Sequence, residues 1–323
     1  SIRSLFTYLE PQVAHITRNT ARADIMKLHK NEVNRIGEEL RTCPGRICFT
    51  CDLWTSIATD GYLCLTAHYI DTNWILRKRI INFSFMPPPL SGVVLCDKIC
   101  GLLDEWGIDK KVFTMTLDNA SSNDVFVQNF GDRLSLKSTL VCHGEFLHIR
   151  CCCHILNLIV QEGLKYVDES VGKIRECVKY VKGSQARKQK FLESINQCSL
   201  DSKRGLRQDV PTRWNSTYLM LSSALYYRHA FNHLRLTDSN FNYCPTSEEW
   251  ANIGKVCTFL EVFYDASNLF AEVKYPIANL YFLVVFKIEM TLQHESDSKD
   301  GLMKTMADKM FQKFDKYWDK YHM

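Results

Sequence analysis

No apolar stretch in this chain is long enough to cross a membrane. The best run, Leu280 to Phe286, is broken by Lys287 and falls far short of the roughly 20 residues a spanning helix needs. The opening Ser-Ile-Arg-Ser-Leu-Phe has no long apolar segment, so nothing there reads as a secretory signal. Net charge is also small: 40 Lys and Arg against 36 Asp and Glu leave +4 over 323 residues. That excludes a protein that coats nucleic acid through global basicity, while leaving room for a local basic patch. The sequence has no internal repeat and no low-complexity segment. With 46% hydrophobic and 24% charged residues, disorder is excluded as the main state. Aromatic residues make up 12%, enough for a sizeable core. At about 150 residues per domain, the length suggests one large domain or two ordinary ones.

Cysteine, by contrast, is abundant at 14 residues. The spacing is not that of a short, loop-rich disulfide framework. Cys64 and Cys257 lie inside apolar runs, as free buried thiols do in a reducing compartment. Cytoplasm or nucleus is therefore expected. The chain starts with Ser rather than Met, and it reads as a fragment or trimmed product.

The pattern changes character midway. Residues 12–41 carry helical spacing through Ile25, Met26, Leu28, Val33, Ile36 and Leu40, and Cys43-Pro44-Gly45 stops that helix. Three strands are predicted next, over 46–53, 62–70 and 74–85, with connections short enough for an antiparallel meander. Pro87-Pro88-Pro89 closes the third. A helix fits 90–106, with Gly107 at its C-cap. A fourth strand (112–117), a helix (123–134) and a fifth strand (146–151) follow. From Cys152 onward the spacing is helical, with a capping box at Thr246-Ser247-Glu248-Glu249 and a charged amphipathic helix over 301–321. The fold class is thus α/β plus all-α. The expected divisions are an N-terminal helical segment (1–45), a sheet of five strands (46–151) and a helical region (152–323). Three antiparallel strands, a helix and two more strands is the order of an RNase H-like mixed sheet, here without the final helix that completes that fold.

Three constellations could carry chemistry. Asp52 lies at the end of the first strand and Asp118 at the end of the fourth. In an RNase H-like sheet those strands are neighbours, so the two carboxylates would face each other as hard oxygen ligands for Mg²⁺. Strand-end aspartates also serve as turn or cap residues. Cys151 and His154 form a Cys-x-x-His, half of a structural zinc site, with Cys142, His143 and His148 close by. Cys48 and Cys51 would be the next ligands, but i and i+3 on a strand point to opposite faces. Zinc is the disfavoured reading, and a buried Cys with a hydrogen-bonded His is the alternative. Last, residues 173–207 hold ten cations, including Arg187, Lys188, Lys190, Arg204 and Arg207, against the three acids Glu176, Glu193 and Asp201. That local +7 would give salt-dependent, sequence-neutral DNA affinity, or else form a solvated helix face.

Several blocks resemble one family. Cys51-Asp52-Leu53-Trp54-Thr55-Ser56 and Leu117-Asp118-Asn119-Ala120-Ser121-Ser122-Asn123 are similar to the two acidic blocks of hAT-superfamily transposases of the plant RICESLEEPER/DAYSLEEPER type. Arg150 to Leu158 resembles the family's Cys-x-x-His block, and Val210 to Thr217 its Arg-Trp block. Residues from about 250 onward resemble its RNase H-fold-associated region. The resemblance implies a DD(E)-type enzyme with a split RNase H fold, a helical insertion after the fifth strand, and Mg²⁺ or Mn²⁺ at Asp52 and Asp118. It also implies a structural or DNA-end role for Cys151 and His154, a phosphate contact from Arg213, and a base-stacking face on Trp214.

The chain departs from that pattern. It has no Cys-x-x-Cys and His pair at the spacing of the family's DNA-binding BED finger, and no Ala-Ser-Glu tripeptide, the context of the family's third acidic residue. The third carboxylate, the last sheet-covering helix and the dimerisation region are therefore expected to be absent. The resulting expectation is a nuclear, DNA-binding, transposase-derived chain with a vestigial metal site and no activity alone. The alternative is a domesticated protein-interaction or transcription-regulating module.

Overall fold

Period-two alternation in the first half becomes a five-stranded sheet, and the helical spacing beyond it becomes a separate bundle. The computed structural model describes residues 2–12, 16–272 and 278–318. Two units result, Ser1–Arg150 and Cys151–Met323. The first contains α1 (Ile2–Leu9), α2 (Arg18–Thr42), β1 (Ile47–Thr55), β2 (Gly61–Ile70), β3 (Leu76–Phe85), α3 (Gly92–Trp106), β4 (Val112–Leu117), α4 (Ser121–Leu136) and β5 (His148–Arg150). The second contains α5 (Cys152–Leu164), α6 (Asp168–Lys182), α7 (Gln185–Gln197), α8 (Trp214–Tyr226), α9 (Arg228–Thr237), α10 (Ser247–Phe270), α11 (Ala278–Ser296) and α12 (Gly301–Trp318).

Strand order is β3-β2-β1-β4-β5. β1 pairs antiparallel with β2, and β2 antiparallel with β3, while β4 runs parallel to both β1 and β5. This mixed sheet fits an RNase H-like α/β unit followed by a helical region. Alternation gives the sheet two different faces. Ile47, Phe49 and Cys51 of β1 share one core with Leu63 and Leu65 of β2, Met115 and Leu117 of β4, Leu95 and Ile99 of α3, and Phe126 and Phe130 of α4. Each such side chain contributes about 1.5–3 kcal/mol by leaving water. Leu40 and Cys43, at the end of α2, belong to the same core. The opposite face carries Thr50, Asp52 and Trp54 of β1 against Thr66, Cys64 and Tyr62 of β2.

Element ends follow local chemistry. The helix predicted from residue 12 begins at Arg18, where the Thr17 hydroxyl accepts from the Thr20 amide at 3.1 Å, and residues 13–15 lie outside the described residues. The third strand begins at Leu76, not 74. Asp71 Oδ1 accepts from the Asn73 and Ile75 amides at 2.8 and 3.0 Å, making an Asx turn that holds Trp74 at φ 60. β5 is shorter than the predicted 146–151 because Cys151 already caps α5. Gly107 closes α3 in the left-handed conformation, φ 67, and Thr246 with Glu249 forms both halves of the capping box on α10. The last helix is described to Trp318; the remainder of the predicted 301–321 lies outside the described residues. The bundle has its own core, in which Ile159, Phe263, Met306 and Met310 are fully buried.

Candidate metal and nucleic-acid site

In the parallel β1–β4 pair, Thr50 stands opposite Thr116. Two residues further along each chain are Asp52, still within β1, and Asp118, the first residue past β4. Asp52 shares the outer sheet face with Thr50, whereas Asp118, past the strand end, lines a cleft with Cys51 and Leu53 of the core face. The Asp52 carboxyl is pushed above its ordinary range by burial first and by the Asp118 charge second, with Lys78 opposing. Asp118 itself is pinned: its Oδ1 accepts from Asn123 Nδ2 at 2.6 Å and from the Ala120 amide at 3.1 Å. Asn123 Nδ2 also donates to the Asp118 carbonyl at 3.1 Å. Asn123 is only 4% exposed, so its amide acts as a fixed bracket between the end of β4 and the first turn of α4. Beside it opens a cleft of about 150 Å³ lined by Cys51, Leu53, Leu90, Leu95, Asp118 and Asn123, among others.

Carboxylate oxygens are the hard ligand type that divalent cations such as Mg²⁺ take. Among the described residues, no group of three His, Cys, Asp or Glu side chains gathers in an arrangement that could hold a metal. Asn123 was not singled out from the sequence. The signal was present: a residue five positions after a strand-end aspartate falls in the first turn of the next helix, within reach of that carboxylate.

Cys151 and His154 lie in the helical unit, at the cap and first turn of α5, and both are half-buried. Cys48 is half-buried and Cys51 is buried, as their positions on opposite faces of β1 require.

The basic stretch is less free than its composition suggests. Lys173 pairs with Glu169 and Glu249, Arg175 with Asp209, and Lys179 with Glu176. Lys190 pairs at 3.2 Å with the buried Asp238, which also accepts from the Tyr180 hydroxyl at 2.9 Å. Arg187 and Arg204 lie over aromatic faces, 4.2 Å from the Tyr180 ring centre and 4.5 Å from that of Tyr226. Lys188, Arg207 and Arg213 are exposed.

The Arg-Trp block is chiefly scaffold. Trp214 is 3% exposed and sits in the bundle core with Tyr218, ring centres 6.5 Å apart. Placed so, it offers no open face to a base; its large apolar ring gains more from burial at the start of α8 than from exposure. Asp209 anchors the loop before it. Arg175 Nε reaches Asp209 Oδ1 and Oδ2 at 3.1 Å each, Arg175 Nη2 reaches Oδ2 at 2.8 Å, and the Thr217 hydroxyl donates to Oδ2 at 3.1 Å. Ser216 Oγ accepts from the Val210 amide at 2.8 Å and donates within the same loop. Of the Arg-Trp pair, Arg213 is the one exposed to solvent.

Three family models match this chain: the ZBED1 RNase-like domain over 50–146, the ZBED1 RNase-like helical domain over 149–259, and the hAT-like transposase, RNase-H fold, over 279–323. The boundary between the first two falls where the two structural units meet in sequence. Among curated proteins, the chain is 34% identical over 311 residues to the zinc finger BED domain-containing protein RICESLEEPER 2 of Oryza sativa subsp. japonica, covering 96% of this chain and 43% of that protein. It is 36% identical over 314 residues to a Zea mays protein carrying the AC transposase name, covering 96% of this chain and 39% of the other. For the Arabidopsis thaliana protein DAYSLEEPER, identity is 29% over 310 residues, covering 96% and 44%. The chain thus spans roughly two fifths of the length of these relatives. No described helix is long and apolar enough to cross a membrane.

Proposed function

We propose, from the premise that this chain is a homologue of the RICESLEEPER, DAYSLEEPER and AC transposases, that it serves as a transposase-derived DNA-binding protein of the nucleus and does not cleave DNA as this chain alone. The observation that supports the reading is the parallel pairing of β1 with β4, in which Thr50 stands opposite Thr116, two residues before Asp52 and Asp118. A divalent cation held by these two carboxylates would supply activation of water and stabilisation of a departing 3′ oxygen. Asn123 keeps the Asp118 carboxylate aimed, and a bound cation would offset the burial and the Asp118 charge that raise the Asp52 pKa. Two carboxylates alone would hold Mg²⁺ or Mn²⁺ weakly, since such ions take six or more oxygen ligands.

DNA contact is assigned to the exposed Lys188, Arg207 and Arg213, helped by Arg187 and Arg204, whose charges remain available above their aromatic rings. Lys190 is reassigned to holding Asp238. Binding of a terminal-repeat hairpin and of a random duplex, measured by fluorescence anisotropy across salt, tests the reading. Replacing Lys188, Arg207 and Arg213 by Ala should lower the salt slope by up to about 2.7, at about 0.9 per phosphate contact. An unchanged slope and affinity overturns the DNA assignment. A nicking assay with Mg²⁺ or Mn²⁺ tests inactivity; cleavage that disappears on Asp52→Ala overturns it.

A second reading, a protein-interaction or transcription-regulating module, has one observation in its favour. Trp54, Phe83 and Phe85 form an aromatic patch on the outer sheet face, exposed by 42%, 62% and 53%. It gains ground if duplex affinity is negligible at low salt.

A further inference from the structure

We infer that the outer side of α11 is a self-association surface, on which a second copy of this chain packs antiparallel with Phe286 at the two-fold axis. Residues 280–286 run Leu-Tyr-Phe-Leu-Val-Val-Phe, apolar on every side of the helix. A helix that is apolar all round belongs in an enclosed position. The inner side of α11 has one. Ile288 and Leu292 are fully buried in the bundle core, Val284 and Val285 pack against it, and the Tyr281 hydroxyl accepts from Trp318 Nε1 at 2.8 Å. The outer side carries Phe282, Leu283, Phe286 and Met290, exposed by 69%, 61%, 49% and 49%. Steps of four from 282 to 286 to 290 set these residues in one line along the helix, with Leu283 beside them. Phe282 and Phe286 already stack, ring centres 6.1 Å apart and planes 13° apart, so the ridge exists before anything docks on it.

The stripe is nearly symmetric about Phe286, and that symmetry selects the occupant. Four residues before Phe286 is Phe282 and four after it is Met290; seven before is Asn279 and seven after is Gln293, both exposed amides. An isologous contact sets residue i against j and j against i. Across a two-fold axis, Phe286 then meets its own copy, each Phe282 ring meets Met290 of the second copy, and each Asn279 meets Gln293 of the second copy. The pairings match chemically. A thioether packs well on a ring. Gln293 Nε2 donates to Glu289 at 3.4 Å, which leaves the Gln293 carbonyl to accept from Asn279. Polar residues closing an apolar stripe also fix its register. Area sets the strength. At roughly 200 Å² per aromatic side chain, the two rings offer about 240 Å². Leu283 and Met290 bring the stripe to roughly 400 Å² per copy, large for an exposed apolar patch. A standard interface takes about 800 Å² per partner. With the exposed Asn279, Lys287 and Gln293 added, the contact lies at the low end of that class, as a weak reversible dimer requires.

Sedimentation equilibrium of the full chain under reducing conditions tests the inference. Between about 5 and about 200 µM, the weight-average mass should climb from that of one chain toward twice that value, as a weak interface of this size allows. Phe286→Glu places two carboxylates, and Phe286→Lys two ammonium groups, side by side on the axis. Each should lower the association constant at least about tenfold, because like charges in contact are strongly unfavourable. An equimolar mixture of the two variants should associate again, since Glu then meets Lys. That recovery separates a lost contact from a lost fold, because two unfolded variants would not restore each other. A wild-type chain that stays monomeric across the range overturns the inference. So does association that both single variants leave unchanged, which puts the contact elsewhere, and so does a mixture that stays monomeric, which denies pairing through Phe286.

Discussion

Asp209 offers the sharpest mechanical test, because its side chain is 1% exposed and carries a full charge into the bundle. Its carboxylate is satisfied by Arg175 and by the Thr217 hydroxyl. Burial pushes its pKa upward, and these partners outweigh burial and hold it below the ordinary carboxylate range. Asp209→Ala removes the acceptor and strands the Arg175 guanidinium. Breaking a buried pair from one side costs about 3–5 kcal/mol. Arg175 is 22% exposed and regains some water, so the lower end applies. With a urea m-value of about 2 kcal/mol/M, a loss of about 3 kcal/mol moves the midpoint down by about 1.5 M. Urea titration by far-UV circular dichroism reads this directly. Replacing both partners, Arg175→Met with Asp209→Leu, should recover most of the loss, because no charge is then left unpaired. The pH sign is fixed by the lowered pKa: the stabilisation is present above the unfolded carboxylate pKa and fades as pH falls through the folded one. Asp209→Asn should flatten that acid limb. A drop under about 0.5 kcal/mol for Asp209→Ala, within the scatter of ordinary surface changes, refutes the claim that this pair anchors the Arg213 loop.

Other outcomes follow from the same geometry. Asn123→Ala removes a buried bond to a charged group, and should cost about 1.5–3 kcal/mol in thermal or urea unfolding of the sheet unit. Gly61→Ala would bring a Cβ within 2.7 Å of the Met86 carbonyl oxygen. Backbone must shift there, so the hairpin should lose hydrogen-exchange protection at Met86, whose amide donates to the Gly61 carbonyl. Lys190→Ala should affect acid unfolding more than the salt slope of DNA binding, because Lys190 holds the buried Asp238.

Much of the fold was legible because its signals are local. Alternation in Ile47, Phe49 and Cys51 reports a one-sided core, and Val112–Leu117 reads as a strand from its β-branched and apolar residues. That the strands carrying or preceding Asp52 and Asp118 are neighbours was legible from the order of the elements. Illegible features depend on partners distant in sequence. The ten cations of 173–207 look like one patch until Asp209, Asp238 and Glu249, all outside the segment, claim three of them. Trp214 looks like a recognition residue until the bundle closes over it, and whether a helix-start Trp points inward is set by helices far along the chain. Trp74 illustrates the local limit: its β-propensity lost to the Asx turn of Asp71.

The central claim is that Asp52 and Asp118 share one cation. Water-proton relaxation enhancement by Mn²⁺, titrated with the wild-type chain, Asp52→Asn and Asp118→Asn, tests it most directly. The account predicts one weak Mn²⁺ site in the wild type, displaced by excess Mg²⁺ and lost in both variants. Mn²⁺ binding that survives either substitution unchanged would contradict it.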